Sequence, residues 1–338
     1  MHPRVRRISV GVLSITPVYR GLEFLQHLDL RPAGHHAEKD AYGSSRRVSR
    51  QRLRLNDLVK NSPTTEVEIA DGNIELIKSL EREIEDAPRW SDPRRSGALP
   101  DPYIAMGQTA ENVAQLQSVT REEQDAFAAR SQNRAEASIA DGFWASDITP
   151  VTLPDGTIVR TDDGPRAGVT VETLAGLDPV FRPGGTVTAG NCCPLNDGAA
   201  AVVIMSGRLV EQLDVTPLAR IVSTAASALS PEIMGLGPVE ASRRALDRAG
   251  LVIDDIDLVE INEAFAAQVI PAARELGVDA ERLNIHGGAI AIGHPFGMTG
   301  ARITSTLING LVRTGGRYGL ETMCVGGGQG MAMIVERL

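Results

Sequence analysis

The sequence predicts an α/β fold, a sheet covered by helices on both faces and interrupted by an inserted segment. Three observations lead there. Short apolar runs suited to buried strands recur along the chain: "AAVVIM", "ARIVSTAA", "IDLVEI" and "GLETMCV". Helical stretches at 238–250 and 263–276 separate several of them. A helical, hairpin-bearing stretch from about 103 to 185 reads as the insertion.

In chain order, residues 1–60 show no sustained period of either kind, and no regular structure is assigned to them. "TEVEIA" reads as a short strand. "DGNIELIKSLEREIEDAP" reads as one amphipathic helix, with Ile74, Ile77, Leu80 and Ile84 three or four apart. Asp71 and Asn73 can cap it, and Pro88 lies beyond its end. "SDPRRSGALPDP" (91–102) is a linker. "TAENVAQLQ" and "TREEQDAFAARSQNRAEASIADG" predict two helices, the second opening with a capping box from Thr120 to Glu123. "ITPVTLPDGTIVRTDDGPR" alternates and turns at Pro154-Asp155-Gly156, a hairpin signal. "ARITSTLINGLVR" predicts an amphipathic helix with Ile303, Leu307, Ile308 and Leu311 on one side.

Length and charge narrow the function classes. The 338 residues suffice for two domains or for one large α/β unit with an insertion. No run of 18 apolar residues predicts a membrane span. A net charge of −9 argues against nucleic-acid binding, which calls for a basic face. Residues 1–54 run against that total, with ten Arg and one Lys facing four acids. The apolar run in "RVRRISVGVLSI" is brief, Pro17 interrupts it, and no small-residue cleavage site follows, which speaks against export. Cys192, Cys193 and Cys324 make an odd count without metal-ligand spacing, so neither a disulfide framework nor a zinc site is expected. A reducing cytoplasm is the expected location.

Three segments carry candidate chemistry. "INEAFAAQ" puts Asn262 and Glu263 at a strand-to-helix junction, where an Asn commonly serves as a cap. "NIHGGAIAIGHPFGMTGARI" sets His294 on a strand-to-helix turn among glycines, open to an incoming molecule. "MCVGGGQGM" places Cys324 ahead of Gly326–Gly328, whose backbone N–H groups can face a developing oxyanion. Each has a plain structural reading: a cap, a turn histidine, a small buried hydrophobe. Jointly, an Asn, a His and a Cys, each expected at the end of a strand, form an acid/base and oxyanion set for a carbonyl substrate.

Residues 101–338 resemble the thiolases, the family of acetyl-CoA acetyltransferases and 3-ketoacyl-CoA thiolases. "MGQTAENVA", "GTVTAGNCCPLNDGAAA", "MGLGPVEAS", "NEAFAAQ", "GGAIAIGHPFGMTGAR" and "CVGGGQGMA" stand in family order. The resemblance implies a layered α/β/α fold with an inserted loop domain (about 103–185) and an incomplete N-terminal half. It divides the chain into a divergent region (1–100, partly disordered), the rest of the N-terminal half (101–216) and a C-terminal domain (217–338). It implies that Cys324 is the acid/base, titrating near neutrality under backbone dipoles. His294 then helps to hold the thioester oxygen, Asn262 positions a water in the same oxyanion site, and the Gly326 N–H serves a second one. Met106, Ala189, Cys193 and Phe265 match the pantetheine channel, and Arg166 and Thr173 match nucleotide-side contacts. Coenzyme A is implied as substrate, with no bound cofactor or metal and with association into dimers or tetramers. Ala105 stands where some short-chain members have His, and His286 where Asn is common. Ketoacyl synthases are a weaker rival, since they use a Cys/His/His set.

Thiolases transfer acyl groups through a nucleophilic cysteine in a Ser/Gly-rich turn of the N-terminal half. Residues 1–100 contain no cysteine. Two readings remain open: an acyl-CoA C-acyltransferase of fatty-acid or related degradation, or a non-catalytic CoA-ester-binding or partner subunit. An Arg-rich, His-rich, aperiodic start joined to a family sequence also fits the product of a frameshifted gene.

Overall fold

The computed structural model describes the strand segments Ile8–Gly11 and Val18–Tyr19 and residues 98–338. The strand expected at "TEVEIA" and the helix expected after Asp71 lie outside the described residues.

Strand β1 (Ile8–Gly11) and strand β2 (Val18–Tyr19) fall in the stretch to which the sequence assigned no element. The inserted segment follows with helices α1 (Met106–Leu116), α2 (Arg121–Ala140) and α3 (Phe143–Asp147). The α2 capping box forms: Thr120 Oγ1 accepts from the Glu123 N–H (3.2 Å), and Glu123 Oε2 accepts from the Thr120 N–H (2.8 Å). Losing such a cap costs about 1 kcal/mol. The expected hairpin is β3 (Val151–Thr152) and β4 (Ile158–Val159), with Gly156 at φ +87° in its turn. Helix α4 (Val171–Ala175), strands β5 (Asp197–Gly198) and β6 (Val203–Ser206), and helix α5 (Gly207–Leu213) lead into the sheet.

The remaining elements are β7 (Ala219–Ala228), α6 (Gly237–Ala249), β8 (Leu258–Ile261), α7 (Ala266–Leu276), α8 (Ala289–Ile292), α9 (Thr299–Thr314), β9 (Tyr318–Val325) and β10 (Gln329–Arg337). The sheet order is β6-β1-β7-β10-β9-β8. Strand β8 pairs parallel with β9, while β9 and β10 form an antiparallel hairpin through Gly326–Gly328. Gly327 and Gly328 have φ of +83° and +89°, a region glycine enters without steric cost.

Both faces are covered, as expected. On one, α6 and α7 place Val239, Leu246 and Val269 over Ile261, Leu320 and Ile334. On the other, α9 places Leu307, Ile308 and Leu311 over Ala219, Leu258 and Val335. The "AAVVIM" segment departs from expectation. It forms β6, but Val203 and Ile204 are 45% and 56% exposed. Among the described residues this strand ends the sheet, so no second neighbour buries it.

His286 is a core residue. Its ring stacks on Phe143 at 3.4 Å between centroids, and Nδ1 lies 3.0 Å from Ser138 Oγ. Burial pushes its pKa down to about 4. The unfolded chain, with a His pKa near 6.5, therefore takes up the proton first. The stability is present above about 6.5 and is lost as pH falls toward about 4. Urea midpoints across that window should fall with pH, and His286→Leu should flatten the fall; an unchanged slope would contradict this.

Candidate active site

The β8–α7 junction is held by a buried carboxylate. Glu263 accepts from Ser131 Oγ (2.6 Å), Asn284 Nδ2 (2.8 Å) and the Ile290 N–H (3.1 Å). Burial raises its pKa, and those three bonds oppose the rise. Gly288 permits this approach, because a Cβ there would lie 2.2 Å from Glu263 Cδ. Asn284, at φ +47°, closes the end of β8 by exchanging two 2.9 Å bonds with the Ile261 backbone. The sequence reading singled out neither Asn284 nor Ser131.

Asn262 follows β8 directly, and its N–H donates to Thr322 O (3.0 Å) on β9, two residues before Cys324. It caps nothing, since α7 begins at Ala266 with Phe265 as N-cap. Its side chain belongs to a residue only 1% exposed, yet neither Oδ1 nor Nδ2 has a hydrogen-bond partner among the described residues. Buried amides are ordinarily bonded, and Gln268 on α7 is the other buried amide among them with both atoms unpartnered.

His294 is not on a strand-to-helix turn. The apolar run at 289–292 closes as the short helix α8, so the histidine sits on the link between α8 and α9. Gly293, at φ +89°, turns the chain there. The His294 N–H donates to Asn196 Oδ1 (3.1 Å), and its Nδ1 lies 2.6 Å from Thr299 Oγ1. Burial first, then the Arg302 charge, pushes its pKa down to about 4, so the ring is neutral at pH 7. Arg302 is fully buried and faces Glu260 at 3.7 Å. Only its place in "GAR" on the apolar side of α9 hinted at it.

Cys324 sits near the end of β9, opposite Gly330 of β10. Burial pushes its thiol up to about 12. The expectation of titration near neutrality is thereby corrected: desolvation outweighs the backbone N–H that favours the thiolate. The neutral thiol is therefore the resting form at pH 7.

The structure collects Met106, Cys193 and Phe265 with Met234, Ala264 and Cys324 in one apolar cluster. The Cys193 N–H donates to Ala264 O (3.0 Å), and burial pushes its thiol up to about 12. Three residues on, Asn196 receives the His294 N–H, so the segment 193–196 runs from the Cys324 cluster to His294. Ala189 and Arg166 line a neighbouring cleft with Asn196 and Cys192. Thr173 is on α4, where its hydroxyl is spent on the Thr170 capping box. Gly326 is exposed, and a Cβ there would meet open space, so its N–H rather than its lack of a side chain is what it can offer. Among the described residues no group of three or more His, Cys, Asp or Glu is placed to hold a metal ion, and no helix is long and apolar enough to cross a membrane.

The chain belongs to the thiolase family. The description "Thiolase, N-terminal domain" matches residues 98–208, and "Thiolase, C-terminal domain" matches 215–337. The chain is similar to an acetyl-CoA acetyltransferase of Pseudomonas aeruginosa, 52% identical over 69% of this chain and 60% of that protein. It is 45% identical to one from Thiocystis violacea, over 80% of this chain and 74% of that protein. Among solved structures, the Bacillus anthracis acetyl-CoA acetyltransferase superposes with a TM-score of 0.69 at 45% identity, covering 71% of this chain and 62% of that one. The human mitochondrial 3-ketoacyl-CoA thiolase in complex with CoA gives 0.69 at 44%, covering 71% and 61%. The chain thus spans about three-fifths of the length of several relatives it matches.

Proposed function

We propose that this chain binds acyl-CoA thioesters and polarises their carbonyl as acetyl-CoA acetyltransferases and 3-ketoacyl-CoA thiolases do, in fatty-acid or related degradation in the cytoplasm. His294 and a water positioned by Asn262 receive the thioester oxygen, the Gly326 N–H serves a second oxyanion, and the Cys324 thiol supplies the proton. The pantetheine runs past Met106, Ala189, Cys193 and Phe265, with Arg166 and Thr173 on the nucleotide side. The sequence contains cysteine only at 192, 193 and 324, and burial keeps all three protonated, so no thiol stands ready to receive the acyl group. The chain alone therefore acts as a binder that activates the carbonyl without carrying the acyl unit.

One observation carries this reading: a buried asparagine with both amide atoms unpartnered, two residues across the sheet from Cys324. An apolar replacement of similar size removes an unsatisfied group, so Asn262→Leu should leave stability unchanged or raised. By calorimetry it should weaken acetyl-CoA binding about tenfold, the loss of one hydrogen bond, while binding of CoA, which lacks the thioester carbonyl, stays constant. Equal losses for both ligands, or none for either, would contradict the assignment.

A further inference from the structure

We propose that the acyl chain of the thioester lies along an apolar wall made by Phe296 and Leu195, so that this site takes esters with an uncharged aliphatic chain longer than acetyl. In the proposed function, on which this rests, the thioester oxygen is held at His294. The chain on that carbonyl must leave past whatever stands beside the histidine. Two segments stand there, fixed to each other. Asn196 Oδ1 accepts the His294 N–H (3.1 Å). A Cβ at Gly293 would lie 2.2 Å from Asn196 Nδ2, and one at Gly198 would lie 2.8 Å from Pro295 Cγ, so both glycines serve a close approach of backbone to side chain.

On these joined segments Phe296 is 81% exposed and Leu195 97% exposed. Single exposed apolar side chains are ordinary on a protein surface. These two differ in where they stand. The Phe296 ring lies edge-on to the His294 imidazole, with 5.2 Å between centroids and 67° between planes. Leu195 lines a cleft with Ile290, Ile292 and Ala189, the last on the pantetheine path of the proposed function. An aliphatic chain leaving His294 covers both side chains and removes apolar surface from water. An acidic chain gains nothing there. Residues 194–198 and 293–298 hold one charged side chain, Asp197, which is exposed and repels a carboxylate. Arg166 and Asp163, of opposite charge, line the same cleft, and Arg166 stands on the nucleotide side in that function. A terminal carboxylate laid on Phe296 and Leu195 would lose water with no cation to replace it.

The test is calorimetry of the full chain with acetyl-CoA, butanoyl-CoA, hexanoyl-CoA and adipoyl-CoA. Affinity should rise about two- to fourfold per added methylene from acetyl to hexanoyl. Adipoyl-CoA, of the same chain length as hexanoyl-CoA, should bind about tenfold more weakly than it or worse. Phe296→Ala and Leu195→Ala should each flatten the rise, with urea midpoints near wild type because both side chains are exposed. A flat series in which Asn262→Leu still weakens acetyl-CoA binding would overturn the wall and leave the proposed function standing. A rising series lost in Phe296→Ala, with acetyl-CoA binding untouched by Asn262→Leu, would do the reverse. No binding of any ester would overturn both. Adipoyl-CoA binding as tightly as hexanoyl-CoA would overturn the uncharged class. A flat series in which Phe296→Ala changes the sedimentation of the chain would give this face to a second copy and overturn the inference.

Discussion

The purified full chain should turn over acetoacetyl-CoA and CoA far more slowly than about once per second, the low end of ordinary enzyme turnover. The family reaction passes an acyl group to a cysteine thiolate and then to a second acceptor. Here the resting form of every cysteine is the thiol: burial pushes Cys192 up to about 11 and Cys193 and Cys324 up to about 12. Oxyanion donors alone retain roughly 10³–10⁴-fold acceleration over water in enzymes stripped of their nucleophile. That is small against the many orders of magnitude a complete enzyme supplies. Steady-state release of acetyl-CoA measures it. Turnover of about one per second or faster would mean that a thiol assigned here to proton transfer or channel lining carries the acyl group.

Glu263→Ala should be the most damaging single change to the fold of the described residues, lowering stability by about 3–5 kcal/mol. It leaves Ser131 Oγ, Asn284 Nδ2 and the Ile290 N–H without their acceptor inside the protein. Each orphaned donor costs about 1–3 kcal/mol, and neighbouring costs do not simply add. Those donors tie α2 and α8 to the β8–α7 junction, so the positions of Asn262 and His294 loosen together. Glu263→Gln keeps one acceptor oxygen and should fall between. Urea titration followed by the fluorescence of buried Trp144 measures both; an alanine variant within about 0.5 kcal/mol of wild type, the range of ordinary surface changes, would show that the cluster is ornamental.

The reach of the sequence can be traced residue by residue. The α2 capping box, the Pro154-Asp155-Gly156 hairpin and the amphipathic α9 were legible because their signals are local: a side chain meeting a backbone group three residues away, a turn geometry, a period. The burial of β8 was legible from Leu258, Val259 and Ile261, though that of Glu260 between them was not. The exposure of β6 was not, because its position at the end of the sheet depends on neighbours distant in sequence. The placing of His294 failed for a similar reason. "AIAI" suits a strand by composition, but the Gly288 carbonyl collects the Ala291 and Ile292 N–H groups and winds it into a turn of helix. Asn262 was picked out as an oxyanion-site residue with a cap as its plain alternative; the structure removes the cap, since α7 begins at Ala266 with Phe265 as N-cap. The near-neutral Cys324 failed because desolvation is a property of everything packed around a thiol. Ser131, Asn284 and Arg302 escaped notice because each matters through partners whose positions follow from the fold.

In the proposed function the site engages a thioester carbonyl without taking the acyl group onto a thiol. Intact-protein mass spectrometry after incubation with acetyl-CoA tests it most directly. The predicted result is an unmodified mass under conditions where calorimetry shows acetyl-CoA bound. An acetyl adduct mapped to Cys193 or Cys324 would contradict it.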